Sequence, residues 1–244
     1  ALTTLDVTNN PDLQVLSAAN NQLNEIKLNN NNIWALYLDH NNFSEINLDG
    51  VPNVSQFTIT NNQLSEINVE NLTQLKMLGL TGNKLTFKTL PKVKSSYIVY
   101  HYSNQAPIDV SQTSEGIINL ADQAIVDTTK TVYRWFLGTP IINEYGELEG
   151  EELILDTEYT IENGVTTFLN DFEGVICVMT NSKFPNLYLY TNLIDVTAGV
   201  ECIISDNPSS IVIVEGNNII AKTDVGNSTT ANLITTNGAI IGST

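Results

Sequence analysis

Residues able to carry out catalysis are few in this sequence. It contains two histidines, His40 and His101, and a Ser-His-Asp or Cys-His constellation would need one of them. His101 lies in the tyrosine-rich segment Tyr100-His101-Tyr102, which we interpret as part of a partly exposed strand. No Cys/His spacing typical of zinc sites and no glycine-rich phosphate loop with lysine is present. We therefore expect no catalytic residue, no metal site and no cofactor.

Paired carboxylates are the remaining catalytic chemistry. An acidic run is formed by Glu144, Glu147, Glu149, Glu151 and Glu152. Two carboxylates can cleave a glycosidic bond when a pocket holds them a few ångströms apart, and carboxylate oxygens also suit calcium. The run falls between two predicted strands, so we expect a solvated hairpin. A weak calcium site and a carbohydrate-active enzyme stay open as alternatives.

The two cysteines, Cys177 and Cys202, leave the redox state open. They could form one disulfide bond. Two separate buried thiols are the interpretation we favour, because a free cysteine commonly packs as a small apolar residue.

Non-covalent binding has better candidates. Trp34, Tyr37 and Asp39 combine two aromatic side chains with a carboxylate, and aromatic residues dominate binding hot spots. The predicted ligand-binding residues on the concave face of a repeat are Trp34, Tyr37, Asp39, His40, Thr58, Thr60 and Thr81. The alternative for Trp34 is that it packs over the edge of a neighbouring coil.

A repeat positions these residues. Its template is L-x-x-L-x-L-x-x-N-x-L, typical of leucine-rich repeats. Four registers match it: Leu13-x-x-Leu16-x-Ala18-x-x-Asn21-x-Leu23, Ile33-x-x-Leu36-x-Leu38-x-x-Asn41-x-Phe43, Val54-x-x-Phe57-x-Ile59-x-x-Asn62-x-Leu64 and Leu75-x-x-Leu78-x-Leu80-x-x-Asn83-x-Leu85. The steps between positions 16, 36, 57 and 78 are 20, 21 and 21 residues. Alternating apolar side chains in short strands should fill the interior of a solenoid.

Asparagine recurs at the turn of each coil. An amide side chain has two donors and an acceptor and can satisfy backbone groups of neighbouring coils. We predict a structural ladder of Asn21, Asn41, Asn62 and Asn83. A weaker series of apolar pairs lies between the strands, at Leu5/Val7, Ile26/Leu28, Ile46/Leu48 and Ile67/Val69. There, Asn10 and Asn31 fit the turn position, whereas Val51 and Leu72 replace asparagine.

Charge and hydropathy exclude some partners. The net charge is −17, from 27 acidic and 10 basic residues. An acidic surface repels phosphate backbones, so we expect no nucleic-acid partner. No apolar segment approaches the roughly 20 residues that span a bilayer.

The periodicity changes after Leu90-Pro91. Several short strands separated by turn sequences within about 100 residues predict an immunoglobulin-like β-sandwich, with Trp135 in its core. The predicted fold is mostly β, with a leucine-rich-repeat solenoid at 1–90, the β-sandwich at 91–196 and a small C-terminal β module at 197–244.

Two sequence segments resemble those of a known family: Leu5-Asp6-Val7-Thr8-Asn9-Asn10-Pro11 and Asn61-Asn62-Gln63-Leu64-Ser65-Glu66-Ile67. On these residues the chain resembles the secreted leucine-rich-repeat surface proteins of Bacteroidetes, which are internalin-like adhesins. The segments Asp206-Asn207-Pro208 and Thr235-Thr236-Asn237-Gly238 look like their C-terminal sorting modules.

The resemblance implies a secreted or cell-surface protein that binds a protein or glycan and is not an enzyme. A structural spacer in a surface assembly is the alternative from another class.

Overall fold

In the computed structural model, the regular secondary structure is almost entirely β-strand. The structure describes residues 1–111 and 116–198, together with the backbone of strands between residues 202 and 243. The strands of the first part are β1 (Thr4–Asp6), β2 (Val15–Ser17), β3 (Glu25–Lys27), β4 (Ala35–Tyr37), β5 (Gln56–Thr58), β6 (Met77–Gly79) and β7 (Val99–His101).

The later strands begin at residue 117, and a short 3₁₀ helix covers Ala121–Gln123. They are β8 (Ile117–Asn119), β9 (Ile125–Val126), β10 (Thr129–Lys130), β11 (Val132–Ile142), β12 (Leu148–Glu152), β13 (Tyr159–Glu162), β14 (Val165–Phe168), β15 (Phe172–Thr180), β16 (Leu189–Tyr190) and β17 (Ile194–Val196). Five more are described by their backbone only: β18 (Cys202–Ile204), β19 (Ser210–Glu215), β20 (Asn218–Thr223), β21 (Asn232–Ile234) and β22 (Ile240–Ser243).

The repeat winds into a β-solenoid, as the spacing predicted, and the solenoid has about five turns where the sequence template showed four registers. Its parallel sheet has the order β2-β4-β5-β6-β7. Leu36, Phe57 and Leu78 are directly opposite one another in the register, and all three are fully buried. Leu16 and Tyr100 extend this column at its two ends. Because neighbouring strands place equivalent residues side by side, one apolar position in each coil makes a continuous core.

The weaker series forms strands only at its beginning. β1 and β3 pair in parallel, with Leu5 opposite Ile26. The segments around Ile46 and Ile67 have no strand, although the inward-pointing Leu48 and Val69 are buried. This side of each coil is therefore held by apolar packing and turns more than by a second sheet.

The chain divides into two compact units. One contains Ala1–Val110, Ala121–Trp135 and Ile176–Asn192, and the other contains Ser111–Leu120, Phe136–Val175 and Leu193–Thr244. The solenoid sheet continues one strand beyond residue 90, to β7. The domain bounds read from the sequence stay a prediction.

In the first unit, aromatic rings line the end of the solenoid core. Tyr100 lies edge-on to Tyr97 and to Tyr102, with ring centroids 5.4 and 4.9 Å apart. Tyr102 contacts Phe184 at 5.3 Å, and Phe184 stacks on Phe87 at 6.2 Å. Aromatic pairs at these separations bury large apolar areas. The 181–187 loop thus covers the last coil with a buried side chain.

Antiparallel pairing dominates the second unit. One of its three-stranded sheets has the order β13-β14-β8, and another has the order β18-β19-β20. Phe136 to Ile142 of β11 form a hairpin with β12, and Phe172 to Val175 of β15 pair with β17. The immunoglobulin-like sandwich stays a prediction. Its expected core residue Trp135 is buried and belongs to the first unit. The sorting-like module at 197–244 lies outside the described residues, apart from its first two residues and the strand backbones.

Candidate binding surface

The side of the solenoid sheet that faces away from the core forms a surface that we call the strand face. It is made by the residues that alternate with the buried column. By coil they are Val15, Ser17 and Ala19; Ala35, Tyr37 and Asp39; Gln56, Thr58 and Thr60; Met77, Gly79 and Thr81; and Val99, His101 and Ser103. Five of the seven predicted ligand-binding residues lie on this face. The other two lie at its border, since His40 follows Asp39 and Trp34 precedes β4.

Asp39 is tied to the next coil. Its Oδ2 accepts a hydrogen bond from Thr58 Oγ1 at 2.6 Å. Its Oδ1 accepts the Thr60 backbone N–H at 2.7 Å and Thr60 Oγ1 at 2.8 Å. Both carboxylate oxygens therefore have partners, and charge-assisted bonds of this kind are the stronger ones in proteins. Three predicted residues form one fixed group, in which Asp39 braces two coils.

Tyr37 is also fixed across the sheet. Its hydroxyl donates to Gln56 Oε1 at 2.5 Å, and both side chains are half-buried. The Tyr37–Gln56 bond and the Asp39 group join the same two strands, so the centre of the strand face is ordered by side-chain bonds between β4 and β5.

Trp34 borders this centre. Its backbone N–H donates to the Gln14 carbonyl at 2.9 Å, and its own carbonyl accepts the Ser55 N–H at 2.9 Å, which holds the residue in line with the coils on either side. Its side chain is 43% exposed. More than half of the residue's surface is covered, so packing against the coil and availability to a ligand coexist in this side chain.

His40 has a backbone role that the sequence did not reveal. Its φ is 55°, and Asn20, Asn61 and Asn104 at the same place in other coils also have positive φ. Gly82 completes this column with a φ of 72°. Asparagine and histidine are enriched among non-glycine residues in the left-handed region. The His40 ring approaches Asn61, with Nε2 and Nδ2 3.3 Å apart.

Gly79 makes room on the strand face. A Cβ built there would lie 2.9 Å from Cγ2 of Thr58 and 3.4 Å from Cγ2 of Thr60. Thr81 follows on the same strand end and its carbonyl accepts the Asn61 N–H at 2.8 Å. The surface is consequently bulky at Tyr37 and shallow at Gly79.

The four predicted ladder asparagines occupy equivalent turns. The side-chain oxygen of each one accepts a backbone N–H from the coil before it. Asn62 is typical: its Oδ1 accepts the Phe43 N–H at 3.0 Å, and its Nδ2 lies within 3.2 Å of the carbonyls of Leu38, Ile59 and Thr60. Asn41 makes the same contacts one coil earlier. One coil later, Asn83 accepts the Leu64 N–H and donates to the carbonyls of Ile59 and Leu80. Asn21 accepts the N–H of Leu2. The amides of Asn41, Asn62 and Asn83 satisfy buried backbone groups that packing alone would leave without partners, whereas the bond between Asn21 and Leu2 is exposed.

The sequence missed two amide side chains with related roles. Gln105 continues the ladder: its Oε1 accepts the Leu85 N–H at 2.9 Å and its Nε2 donates to the carbonyls of Leu80 and Tyr102. On the opposite side, the turn position assigned to Asn31 is occupied by Asn30. The Asn30 side chain is buried and donates to the carbonyls of Asn10 and Leu13, whereas Asn31 is exposed.

The acidic hairpin is organised by an amide. Asn143 Nδ2 donates to Glu149 at 2.8 Å, and Asn143 Oδ1 accepts the backbone N–H groups of Tyr145 and Glu147. Among the described residues, no group of three or more His, Cys, Asp or Glu side chains could hold a metal ion. Glu144 and Glu147 lie in the turn of this hairpin, and Glu149, Glu151 and Glu152 lie in β12.

Cys177 is a buried free thiol. Burial raises the pKa of its thiol, and a hydrogen bond with the Arg134 backbone opposes this change. The Cys202 side chain lies outside the described residues. Within the described part of the chain, no helix has the length and apolar character needed to cross a membrane.

No protein-family model matches this chain, and no curated protein does. Among solved structures, it is similar to the functional domain of InlJ from Listeria monocytogenes, which includes a cysteine ladder. The TM-score is 0.43 and the sequence identity is 14%, over 80% of this chain and 48% of that chain. The chain thus spans about half the length of the structure it matches.

Proposed function

We propose that this chain is a non-catalytic binding protein, secreted or displayed at a cell surface, that binds a protein or glycan through the strand face. The observation that carries the proposal is the ordered group at the centre of that face. There Tyr37 is bonded to Gln56, Asp39 is bonded to Thr58, and the partly exposed Trp34 lies at the border.

Order in the unbound state favours binding. Association costs about 0.5–1.5 kcal/mol for each flexible side chain that becomes immobilised. The bonds across β4 and β5 already restrict Tyr37, Gln56 and Asp39, so less entropy remains to be lost. Aromatic rings then supply contact area at low conformational cost, as in many protein and sugar sites.

The partner is expected to be uncharged or positively charged near Asp39. Both Asp39 oxygens accept hydrogen bonds from threonines, but these neutral donors leave the negative charge in place. The net charge of −17 adds to this field. Polyanions are therefore disfavoured as partners.

The experiment is a binding screen followed by matched aromatic variants. The intact chain is tested on a glycan array and against extracellular matrix proteins, and each detected interaction is measured again with Trp34→Ala and Tyr37→Ala. Tyr145→Ala is the control, because Tyr145 is 80% exposed and belongs to the second unit. Asp39→Ala is avoided because it would break the brace between two coils.

We expect Trp34→Ala and Tyr37→Ala to weaken binding by about tenfold or more each, equivalent to about 1.4 kcal/mol, while Tyr145→Ala binds as the unaltered chain does. Unfolding curves verify that the variants are folded. If folded variants of both residues keep every detected interaction, the strand face is not the binding surface. If the screen detects no interaction, the structural spacer replaces the binding protein as the explanation.

A further inference from the structure

A cleft in the first unit lies apart from the strand face. Its volume is about 350 Å³, at the lower end of the range typical of small-molecule sites. Three chain segments line it: the 87–93 segment that follows the fourth ladder turn, β9 with Asp127, and the 183–184 part of the loop that covers the last coil.

The floor of the cleft is apolar. Phe87, Leu90 and Phe184 line it and are almost completely buried. Val93 and Ile125 form apolar parts of the wall and are 58% and 59% exposed. A ligand with an apolar body would remove these two side chains from water, which is favourable by roughly 25 cal/mol for each Å² buried.

The wall carries positive charge in a strongly negative chain. Lys88, Lys92 and Lys183 line the cleft together with one acidic residue, Asp127. Three positive charges and one negative charge leave a net charge of +2 among the lining residues, against −17 for the whole chain. Three of the chain's ten basic residues thus meet at one small cavity.

These charges are available to a ligand. Lys92 pairs with Asp127 at 2.6 Å, and Lys88 pairs with Asp122 at 3.3 Å, but all four side chains are more than a third exposed. Exposed ion pairs contribute little stability, so an incoming anion can compete with them. Lys183 is exposed and forms no ion pair among the described residues. The hydrogen bond from Lys92 lowers the pKa of Asp127, and the charges of Lys92 and Lys183 lower it further against desolvation, so positive potential from two segments converges there.

We propose that this cleft binds a small organic carboxylate with an apolar body. The apolar body lies against Phe87, Leu90 and Ile125, and the carboxylate lies among the three lysines. An inorganic anion would leave the apolar floor uncovered, and a polyanion would extend over the negative surface of the rest of the chain. A compact anion with one apolar end satisfies both parts of the lining.

The test uses 4-phenylbutyrate as the probe, measured by calorimetry and by saturation-transfer NMR on the full chain. Its neutral amide, 4-phenylbutanamide, isolates the charge, and acetate isolates the apolar body. The variants are Lys183→Met and Lys92→Met in the cleft, and Ile125→Glu, which places a carboxylate in the exposed wall. Lys84→Met is the matched control, because Lys84 is exposed and does not line the cleft.

We expect saturable binding of 4-phenylbutyrate that is weakened about tenfold in the amide, in Lys183→Met, in Lys92→Met and in Ile125→Glu. Lys84→Met should bind as the unaltered chain does, and acetate should not bind measurably. Binding of the amide with equal affinity, or equal losses in Lys84→Met and Lys183→Met, would overturn the role of the lysines. Absence of saturable binding in the millimolar range would overturn the site itself. None of these results depends on the strand face.

Discussion

The backbone N–H of Leu85 donates to Oε1 of Gln105 across 2.9 Å, twenty positions along the chain. In the earlier coils the same bond ends on an asparagine, as between Leu64 and Asn83 at 3.0 Å. Glutamine is one methylene longer, and its amide group nevertheless reaches the equivalent carbonyls of Leu80 and Tyr102. The ladder therefore includes the last coil, where tyrosines replace the leucines of the core.

Replacing Gln105 with alanine should destabilise the protein. The change leaves the Leu85 N–H and the Tyr102 carbonyl buried without their side-chain partner, and each such group costs about 1–3 kcal/mol. The Leu80 carbonyl keeps its bond from Asn83. We expect the free energy of unfolding, measured in urea, to fall by about 2 kcal/mol or more. Gln63→Ala is the control, because Gln63 is exposed. Equal losses in the two variants would argue against the ladder role of Gln105.

Gly79→Ala should strain the centre of the strand face. Its Cβ would meet Cγ2 of Thr58 at 2.9 Å, and Thr58 cannot rotate away without losing its bond to Asp39. We expect a loss of about 1–2 kcal/mol in the free energy of unfolding, as for other overpacked sites.

Thr58→Ser provides the second half of a double-mutant cycle for this clash. Serine retains the hydroxyl that bonds to Asp39 and lacks the methyl group that the new Cβ of Gly79→Ala would meet. The loss caused by Gly79→Ala should be smaller in the Thr58→Ser background, with a coupling energy of at least about 0.5 kcal/mol. Additive effects of the two substitutions would show that Thr58 does not limit the space at Gly79.

The sequence predicted the solenoid because each coil repeats the same side chains at the same places. Leu36, Phe57 and Leu78 occupy one column for the reason that their spacing suggested, and the asparagines follow the same rule. The last coil does not match the repeat template, because Tyr100 lies 22 positions after Leu78 and Gln105 replaces the asparagine.

The candidate site was predicted less completely. Spacing placed Tyr37, Asp39 and Thr58 near one another, but it could not show that both oxygens of Asp39 accept hydrogen bonds from the next coil. The left-handed position of His40 was detectable in principle, since Asn20 and Asn61 share it and such residues favour that conformation. The cleft could not be predicted from the sequence. Its lining joins segments about 35 and 95 positions apart, and only tertiary contacts bring such segments together.

Alkaline pH should destabilise the protein through Tyr100. Burial raises the pKa of Tyr100 above its ordinary value of 10.0, and the neighbouring Tyr97 and Tyr102 raise it further. The folded state therefore keeps a proton that the unfolded state releases. The stabilisation is complete below pH 10 and is lost as the pH rises above it, by up to about 1.4 kcal/mol per pH unit.

Tyr100→Phe separates this titration from other alkaline effects. The variant lacks the bond from the Tyr100 hydroxyl to the Pro91 carbonyl at 2.8 Å, so it should lose about 1 kcal/mol at neutral pH. Above pH 10 its stability should decline less steeply than that of the unaltered chain. Tyr145→Phe, at an 80% exposed position, should leave the slope unchanged. The same steep decline in Tyr100→Phe would exclude Tyr100 as its source.

The ladder gives the stack of coils a direction. Asn83 serves Leu64 in the coil before it, and Gln105 serves Leu85 in the same way. A chain shortened from its carboxyl side would lose the amide group that the backbone N–H of its new terminal coil requires. A chain shortened from its amino side would keep each remaining amide bonded to a carbonyl of its own coil, as Asn62 is bonded to Ile59. Coils of this kind can be deleted or duplicated more safely at the amino end than at the carboxyl end.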